Sequence, residues 1–593
     1  MQYPTLYEIS KSRLWTEQFI GLDRRPRTYD GAFSAMGNMS GDPWPLISTR
    51  KKRGLVAELA QPLGLCALGK LAWIDGSTLY YDGTATAINN LSTDSSMLPK
   101  KMVVMGAYIV IWPDAVYYNT VKPTDYGSIN RLYATAAGAS VTLTLADMDG
   151  VDYPAGSVTV SDTEPQNPSQ GDYWIDTSVT PHQMKQYSEM YESWLGVSSV
   201  YVKIAATGIG EGLTVQDGVK ISGLSYSGNN DALKKQIEAL NSTHIVQAVD
   251  DDFVVVVGLI DQTYTQTAGT VRADRKAPEM DYVIECNNRL WGCRYGLQDG
   301  EFVNVLYASA LGDFKNFNKF GGTSMDSYAV NIGSDGPFTG AVTHRGCPYF
   351  FKAECLHRIL GEKPSNFQTQ VTICKGVAPG AWRTVAPYNG ALYYLADTGP
   401  QMFDSLPQEI GQALGPGKLT GGAACVSDGK YYLSSQEENG QWSLYVFDTE
   451  RLNWHRQDDA HALAFATLDG ETYMLLENGL LWALNGTAGD KEAEPVTWYA
   501  EIAPMGYEYP DHKYLSRFLL RMKMGPEAEC RVLIQYDSDG IWRSKGKIEG
   551  NGKVDTYLLP VIPRRCGHAS IRLEGQGDIQ LYGVAREMAL GRD

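Results

Sequence analysis

Four acidic residues near inferred turns, Asp75, Asp114, Asp313 and Asp397, are the first groups in this sequence that could do chemistry. Two carboxylates facing one another across a sugar supply the acid and the nucleophile or base of glycoside cleavage. A turn Asp that hydrogen-bonds its own backbone needs no such role. The eight histidines, at 182, 244, 344, 357, 455, 461, 512 and 568, show no His-Glu-x-x-His or other ligand spacing, so each reads as a turn or core-edge residue and no metal site is expected. There is no Gly-x-Ser-x-Gly elbow and no Walker-type phosphate loop. "ATGIGEG", Ala206 to Gly212, has no helix pattern after it and reads as a loop. The expectation is a chain that is not an enzyme, with no catalytic residues and no cofactor.

Two stretches could bind rather than react. "QGDYWIDTSVTPHQMKQYSEMYESWLGV" carries Tyr173, Trp174, Tyr187, Tyr191 and Trp194, which would form either a stacking surface for sugar rings or the packed centre of a small domain short of aliphatic residues. "STRKKRG" carries Arg50, Lys51, Lys52 and Arg53, which form either an anionic contact or a solvated turn. The whole chain has a formal charge of −17, which argues against a protein that coats nucleic acid. The N-terminal stretch scatters charges among its apolar residues, so a secretory signal is not expected. The longest apolar runs, such as "MVVMGAYIVIW", are about half the length needed to span a bilayer, so no membrane insertion is expected. Nine cysteines with no Cys-x-x-Cys pair read as reduced thiols without a disulfide frame.

The elements that would position these groups are hairpins. "AACVSDGKYYLSSQ" and "AFATLDGETYMLLEN" share one grammar: an apolar run, a turn dipeptide, then an aromatic or aliphatic run. Asp-Gly and Asn-Gly suit the tight turn whose twist matches that of the strands. The same grammar recurs at Asp75-Gly76, near Gly106, and at Asn287-Asn288, Arg345-Gly346 and Asn389-Gly390. The last four centres, 345, 389, 428 and 469, lie 44, 39 and 41 residues apart. A period near 40 with several short strands per unit predicts a β-propeller, in which blade-on-blade stacking buries faces that no single sheet can hide. A sialidase-like propeller would repeat a Ser-x-Asp-x-Gly-x-Thr-Trp turn, and the nearest stretch, "SDGIWRS" from Ser538, lacks the spacing.

The expected fold is therefore all-β: a seven-bladed propeller over 61–135 and 276–490, an inserted mainly-β domain over 136–275, and a C-terminal β-sandwich over 491–593. The insertion holds one helix pattern, "NNDALKKQIEALN", with Leu233, Ile237 and Leu240 on one face and Asn230 or Asp231 as cap. The sandwich is read from alternating runs with turns at Asp539-Gly540 and from Gly575 to Asp578. Residues 1–60 read as an extended arm lying across another surface.

Several stretches resemble virion proteins of tailed bacteriophages and prophages. "FSAMGNMSGDPWPLISTRKKRG" followed by "LAWIDGSTLYYDG" is similar to their starts. "NNRLWGCRYGLQDGEFVNVLYASALGDFKNF" is similar to a blade of tail hub or nozzle proteins, matching at Asn288, Arg289, Leu290 and Trp291 and then at Tyr307, Ser309, Leu311, Gly312 and Asp313. "PQNPSQGDYWIDTS" and "IRLEGQGDIQLYGVARE" also look like phage tail modules. The resemblance touches about half the chain and carries over no catalytic residue. It implies a virion tail component made in the bacterial cytoplasm. Such a component would form a symmetric ring with copies of itself, neighbour other tail or portal and adaptor proteins, and meet DNA only as passing cargo. The alternatives are a tail adhesin gripping cell-wall glycan, or a glycan-cleaving propeller enzyme.

Overall fold

The computed structural model describes residues 11–26, 28–93, 99–154, 156–298, 300–506, 512–559, 561 and 564–590. Among these the chain is nearly all-β, built of many small sheets with one α-helix. It divides into two compact units, the first 1–112, 334–359 and 369–593, the second 113–333 and 360–368.

In the first unit the hairpin grammar is realised as short antiparallel meanders. Pro62–Leu68, Lys70–Asp75, Thr78–Tyr81 and Thr84–Ala87 form one. Ala386–Tyr388, Ala391–Ala396, Gly399–Phe403 and Pro407–Glu409 form another. Leu419–Ser427, Lys430–Glu437, Trp442–Asp448 and Asn453–Arg456 follow in order, as do Ala462–Leu468, Glu471–Leu476 and Leu480–Ala483. The first strands of successive meanders lie side by side: Phe338–His344 with Ala386–Tyr388, that with Leu419–Ser427, then Ala462–Leu468, Pro62–Leu68 and Lys101–Met105. This propeller-like series buries Leu392, Tyr394, Tyr431, Leu433, Leu475 and Leu481 between neighbouring sheets, each under 2% exposed.

Turn chemistry matches the reading from residue types. Arg345-Gly346, Asn389-Gly390, Asp428-Gly429 and Asp469-Gly470 have both central residues at positive φ, as does Asn287-Asn288 in the second unit. The first two hairpins differ by one position. Asp75 pairs with Thr78 and Met105 with Tyr108, so the loops are Gly76-Ser77 and Gly106-Ala107, with glycine first at φ 60° and 58°. Gly422 marks a bulge in the Leu419–Ser427 strand, where φ is 109° and an added Cβ would meet the Ser434 carbonyl at 2.1 Å.

The arm expected over residues 1–60 to reach another surface is corrected, although residues 1–10 lie outside the described residues. Gly54–Glu58 pairs with Leu480–Ala483 and so supplies the fourth strand of the last meander from the other end of the chain. Leu22 pairs with Trp454, Ala32–Gly37 pairs with Thr497–Met505, and Lys11–Thr16 pairs with Ile579–Leu590. Phe19, Leu22, Phe33, Met36 and Ile47 are all at most 2% exposed, so the segment has apolar faces that its own chain covers. One sheet consequently runs without a break from Leu419–Ser427 through Gly21–Leu22 and Ala32–Gly37 into Glu529–Tyr536 and Arg543–Glu549.

The C-terminal region is two facing sheets around Phe518, Leu520, Met522, Val532, Ile571 and Leu581, each at most 2% exposed. Its boundary at 491 is corrected too, because strands from before residue 50 complete both sheets. The segment from Gly575 to Asp578 is not a hairpin turn: Ala569–Gln576 pairs in one sheet and Ile579–Leu590 in the other, so it carries the chain across the core.

In the second unit, Asp231–Ala239 is the helix, with Asn230 Oδ1 accepting the Ala232 and Leu233 N–H groups and Leu233 and Ile237 buried against a five-stranded sheet's core. The insertion's expected limits at 136 and 275 are corrected, since the sheet from Tyr282–Cys286 to Tyr328–Asn331 falls in the same compact unit. Asp217, fully buried, binds Arg275 Nη1 at 2.6 Å and Asn316 Nδ2 at 2.6 Å, and Gly218 N–H donates to the Asn318 carbonyl. These bonds join the insertion to the 310–320 loop.

Candidate functional site

Three of the four turn aspartates are occupied by nearby backbone N–H groups or by a surface ion pair. Asp75 accepts the Ala60 and Gln61 N–H groups at 3.2 and 2.6 Å, Asp313 accepts the Lys315 N–H at 3.0 Å, and Asp397 pairs with Lys418 at 2.5 Å. Asp75 ends the strand Lys70–Asp75, while Asp397 lies in the turn between Ala391–Ala396 and Gly399–Phe403, in a different meander. Among the described residues no three His, Cys, Asp or Glu side chains gather in a metal-binding cluster.

Two serine–histidine contacts join residues far apart in the sequence and were not legible from spacing. Ser538 Oγ lies 2.8 Å from His568 Nε2, but Asp537 is 4.0 Å from His568 Nδ1 and instead accepts the Gly567 N–H at 2.6 Å. That distance is beyond hydrogen-bond reach, so the carboxylate does not orient the ring for base catalysis. Ser334 Oγ lies 2.7 Å from His357 Nε2, whose other nitrogen has no partner among the described residues. Burial, with help from nearby Lys352, lowers His357 to about 4, so it is neutral at pH 7.

His455, buried and beside Lys430, is likewise lowered to about 4 by burial first and the lysine second. The unfolded value near 6.5 is higher, so the unfolded chain takes up protons first as pH falls. Stability is therefore complete above about pH 6.5 and declines between about 6.5 and 4, by roughly 3 kcal/mol per histidine. Denaturant titrations at intervals across that window should show this loss, and a His455→Gln variant should show a shallower one. Equal slopes in the parent and the variant would refute the assignment.

The aromatic stretch folds into a small four-stranded sheet of Val158–Ser161, Tyr173–Asp176, Gln183–Ser188 and Ser193–Gly196. Register places Trp174 opposite Lys185 and Tyr187 opposite Trp194, so these side chains share a face. Trp194 packs edge-on to Trp174 at 5.6 Å and to Tyr187 at 5.4 Å, and Lys185 Nζ sits 4.7 Å over Trp174. Lys185 also pairs with Asp176 at 2.7 Å, which is part of why Asp176 titrates at about 2. Trp174 is 5% exposed and donates its indole N–H to the Ser161 carbonyl, while Tyr173 packs against Tyr153. Tyr191 stands apart, 67% exposed on the turn. Trp174, Tyr187 and Trp194 thus form one packed face of the little sheet, Tyr173 points to the other face, and Tyr191 projects from the turn.

The basic stretch splits in two. Arg50 holds Glu492 through both carboxylate oxygens, at 2.8 and 3.0 Å, and Arg53 pairs with Asp458 at 2.7 Å. Burial would raise Glu492, but the Arg50 hydrogen bonds and the Arg53 N–H outweigh it, leaving the carboxyl below its usual range. Arg50 and Arg53 are 8% and 4% exposed, so they are internal clamps and not a contact surface. Lys52 Nζ is tethered to the carbonyls of Glu492 and Ala493 at 3.0 and 3.3 Å. Lys51 is exposed. A cavity of about 820 Å³ opens here, lined by Lys51 and Lys52 together with Lys491 and Lys523. A second cavity, of about 450 Å³, lies over Tyr499. Its charges neutralise one another: Arg572 covers the Tyr499 ring at 4.6 Å while bonding Glu501 and Glu574 at 3.0 and 2.9 Å.

Asn288, Arg289, Leu290, Ser309 and Gly312, among the residues on which the expected resemblance rests, lie in one corner of the second unit. Arg289, 2% exposed, donates to the carbonyls of Ser309, Asp326 and Ser324 at 2.7, 2.5 and 2.6 Å. Leu290 N–H donates to Ser309 Oγ, and Gly312 N–H to the Asn288 carbonyl. Trp291 packs edge-on to Phe367 at 5.1 Å.

No family model and no curated protein matches this chain. Solved structures with a similar course include exo-β-1,3-galactanase from Phanerochaete chrysosporium, at 9% identity and a TM-score of 0.19, covering 51% of this chain and 94% of that one. An engineered GH43 glycoside hydrolase with endo-xylanase and exo-arabinofuranosidase activity aligns at 8% identity and a TM-score of 0.20, covering 54% and 98%. The extracellular domain of a hybrid two-component system from B. thetaiotaomicron aligns at 7% and 0.16, covering 94% and 99%. The expectation of a chain that is not an enzyme is corrected by these comparisons, since glycoside hydrolases stand among the similar folds. Likeness at these scores carries no argument for a reaction, and no activity is assigned.

Proposed function

We propose that this chain is a structural component of a bacteriophage tail, a nozzle, hub or ring protein assembling with copies of itself around the DNA channel. In this reading the series of meanders in the first unit belongs to a propeller of seven blades. Neighbouring tail, portal or adaptor proteins are its partners, and the virion tail is its location. The observation that carries the reading is the Arg289 corner. Of the residues on which the resemblance rests, Asn288, Arg289, Leu290, Ser309 and Gly312 are tied together by hydrogen bonds although they are spread over 288–312, which supports reading them as a pattern that encodes a turn. Rigid presentation of surfaces is the mechanism, and symmetric contacts would build the ring.

Gold-labelled antibody against this chain, applied to purified particles, should decorate the tail at a fixed distance from the capsid. Particles that carry genome but bind no label would overturn the proposal. A map of the assembled ring would read the blade count directly.

A further inference from the structure

We propose that the cavity lined by Lys51, Lys52, Lys491 and Lys523 binds a phosphodiester chain that carries no bases. The four ammonium groups come from three stretches far apart in the sequence, within a chain whose formal charge is −17. The side chains of Lys51, Lys491 and Lys523 are exposed, and their ammonium groups make no hydrogen bond or ion pair among the described residues. Of the two acids in the lining, Asp42 is taken by Lys430, and Arg50, also in the lining, is taken by Glu492, which leaves Asp578 among four lysines. Gathering like charges is unfavourable unless an anion resides among them.

The form of the site narrows the ligand. Its volume, about 820 Å³, suits several linked charges better than a single small anion. Lysine is a mobile point charge without the fork that favours planar carboxylates, and it suits phosphate oxygens arranged along a flexible chain. Single-stranded nucleic acid is ordinarily held by rings on which its bases stack, and no aromatic residue lines this cavity. A polyol-phosphate chain satisfies both conditions. The inference stands independently of the tail reading.

The test is calorimetric titration of the full chain with a glycerol-phosphate oligomer of defined length, between about 50 and 200 mM salt. An oligo-dT with the same number of phosphates and inorganic phosphate serve as comparison probes. The Lys491→Gln/Lys523→Gln double variant should melt like the parent, because neither side chain has a partner to lose. It should bind the oligomer at least about tenfold more weakly, with a shallower salt dependence. Lys235→Gln, on the helix of the second unit, should change nothing. No binding of the oligomer, undiminished binding by the double variant, or oligo-dT binding as tight as the oligomer would each overturn the proposal.

Discussion

Removing residues 1–58 should leave the first unit without a folded state. The deletion strips Gly54–Glu58 from Leu480–Ala483, and takes away the strands Gly21–Leu22 and Ala32–Gly37 that join Asn453–Arg456 to Thr497–Met505. It also uncovers Trp454, Leu481, Trp498 and Ile502, which are now at most 7% exposed. Burying one large apolar side chain contributes roughly 1.5–3 kcal/mol. Several such losses together exceed the 5–15 kcal/mol by which ordinary domains are stable. Expression in inclusion bodies, or a soluble product without a cooperative melt, is the expected outcome. A milder variant separates this account from general fragility of a shortened chain. Leu55→Pro removes a ladder donor from a strand paired on both sides and should cost about 3 kcal/mol or more. A truncated chain that melts at the parent's temperature would show that the N-terminal strands are decoration.

Arg289→Ala should destabilise the second unit by about 3–5 kcal/mol. The guanidinium lies almost wholly inside the protein, and its bonds run to three backbone carbonyls. Each carbonyl left without a donor costs about 1–3 kcal/mol, and bonds from a charged donor lie at the stronger end of that range. Arg289→Lys should recover only part of the loss, because one ammonium cannot replace the two-nitrogen span that reaches Ser309, Asp326 and Ser324 together. Denaturant unfolding followed by tryptophan fluorescence would measure both, since Trp291 lies two residues away. A cost under about 1 kcal/mol for Arg289→Ala would mean that water replaces the guanidinium and that the three carbonyls do not depend on it.

Hairpins were legible because their determinants are local. Asn-Gly, Asp-Gly and Arg-Gly pairs set positive φ within two residues, and the flanking alternation sets which side chains face inward. The helix was legible for the same reason: Asn230 caps it three residues before Leu233, the first residue of its buried face. The aromatic stretch yielded its sheet but not its use. Both readings of Tyr173 to Trp194 demand the same residue types, and only their placement shows Trp174 packed and Tyr191 projecting.

Residue types and spacing were enough to indicate a mainly β chain, its hairpins to within one position and the helix found among the described residues, with its cap narrowed to Asn230 or Asp231, since each depends on neighbours a few positions away. Folding in space alone made Gly54–Glu58 the last strand of a sheet from the far end of the chain. It also turned Arg50 and Arg53 inward while Lys51 joined Lys491 and Lys523. The Arg50–Glu492 pair spans 442 residues, and contacts at such separation leave no periodic trace in a sequence, because nothing ties the two positions together until the core forms around them.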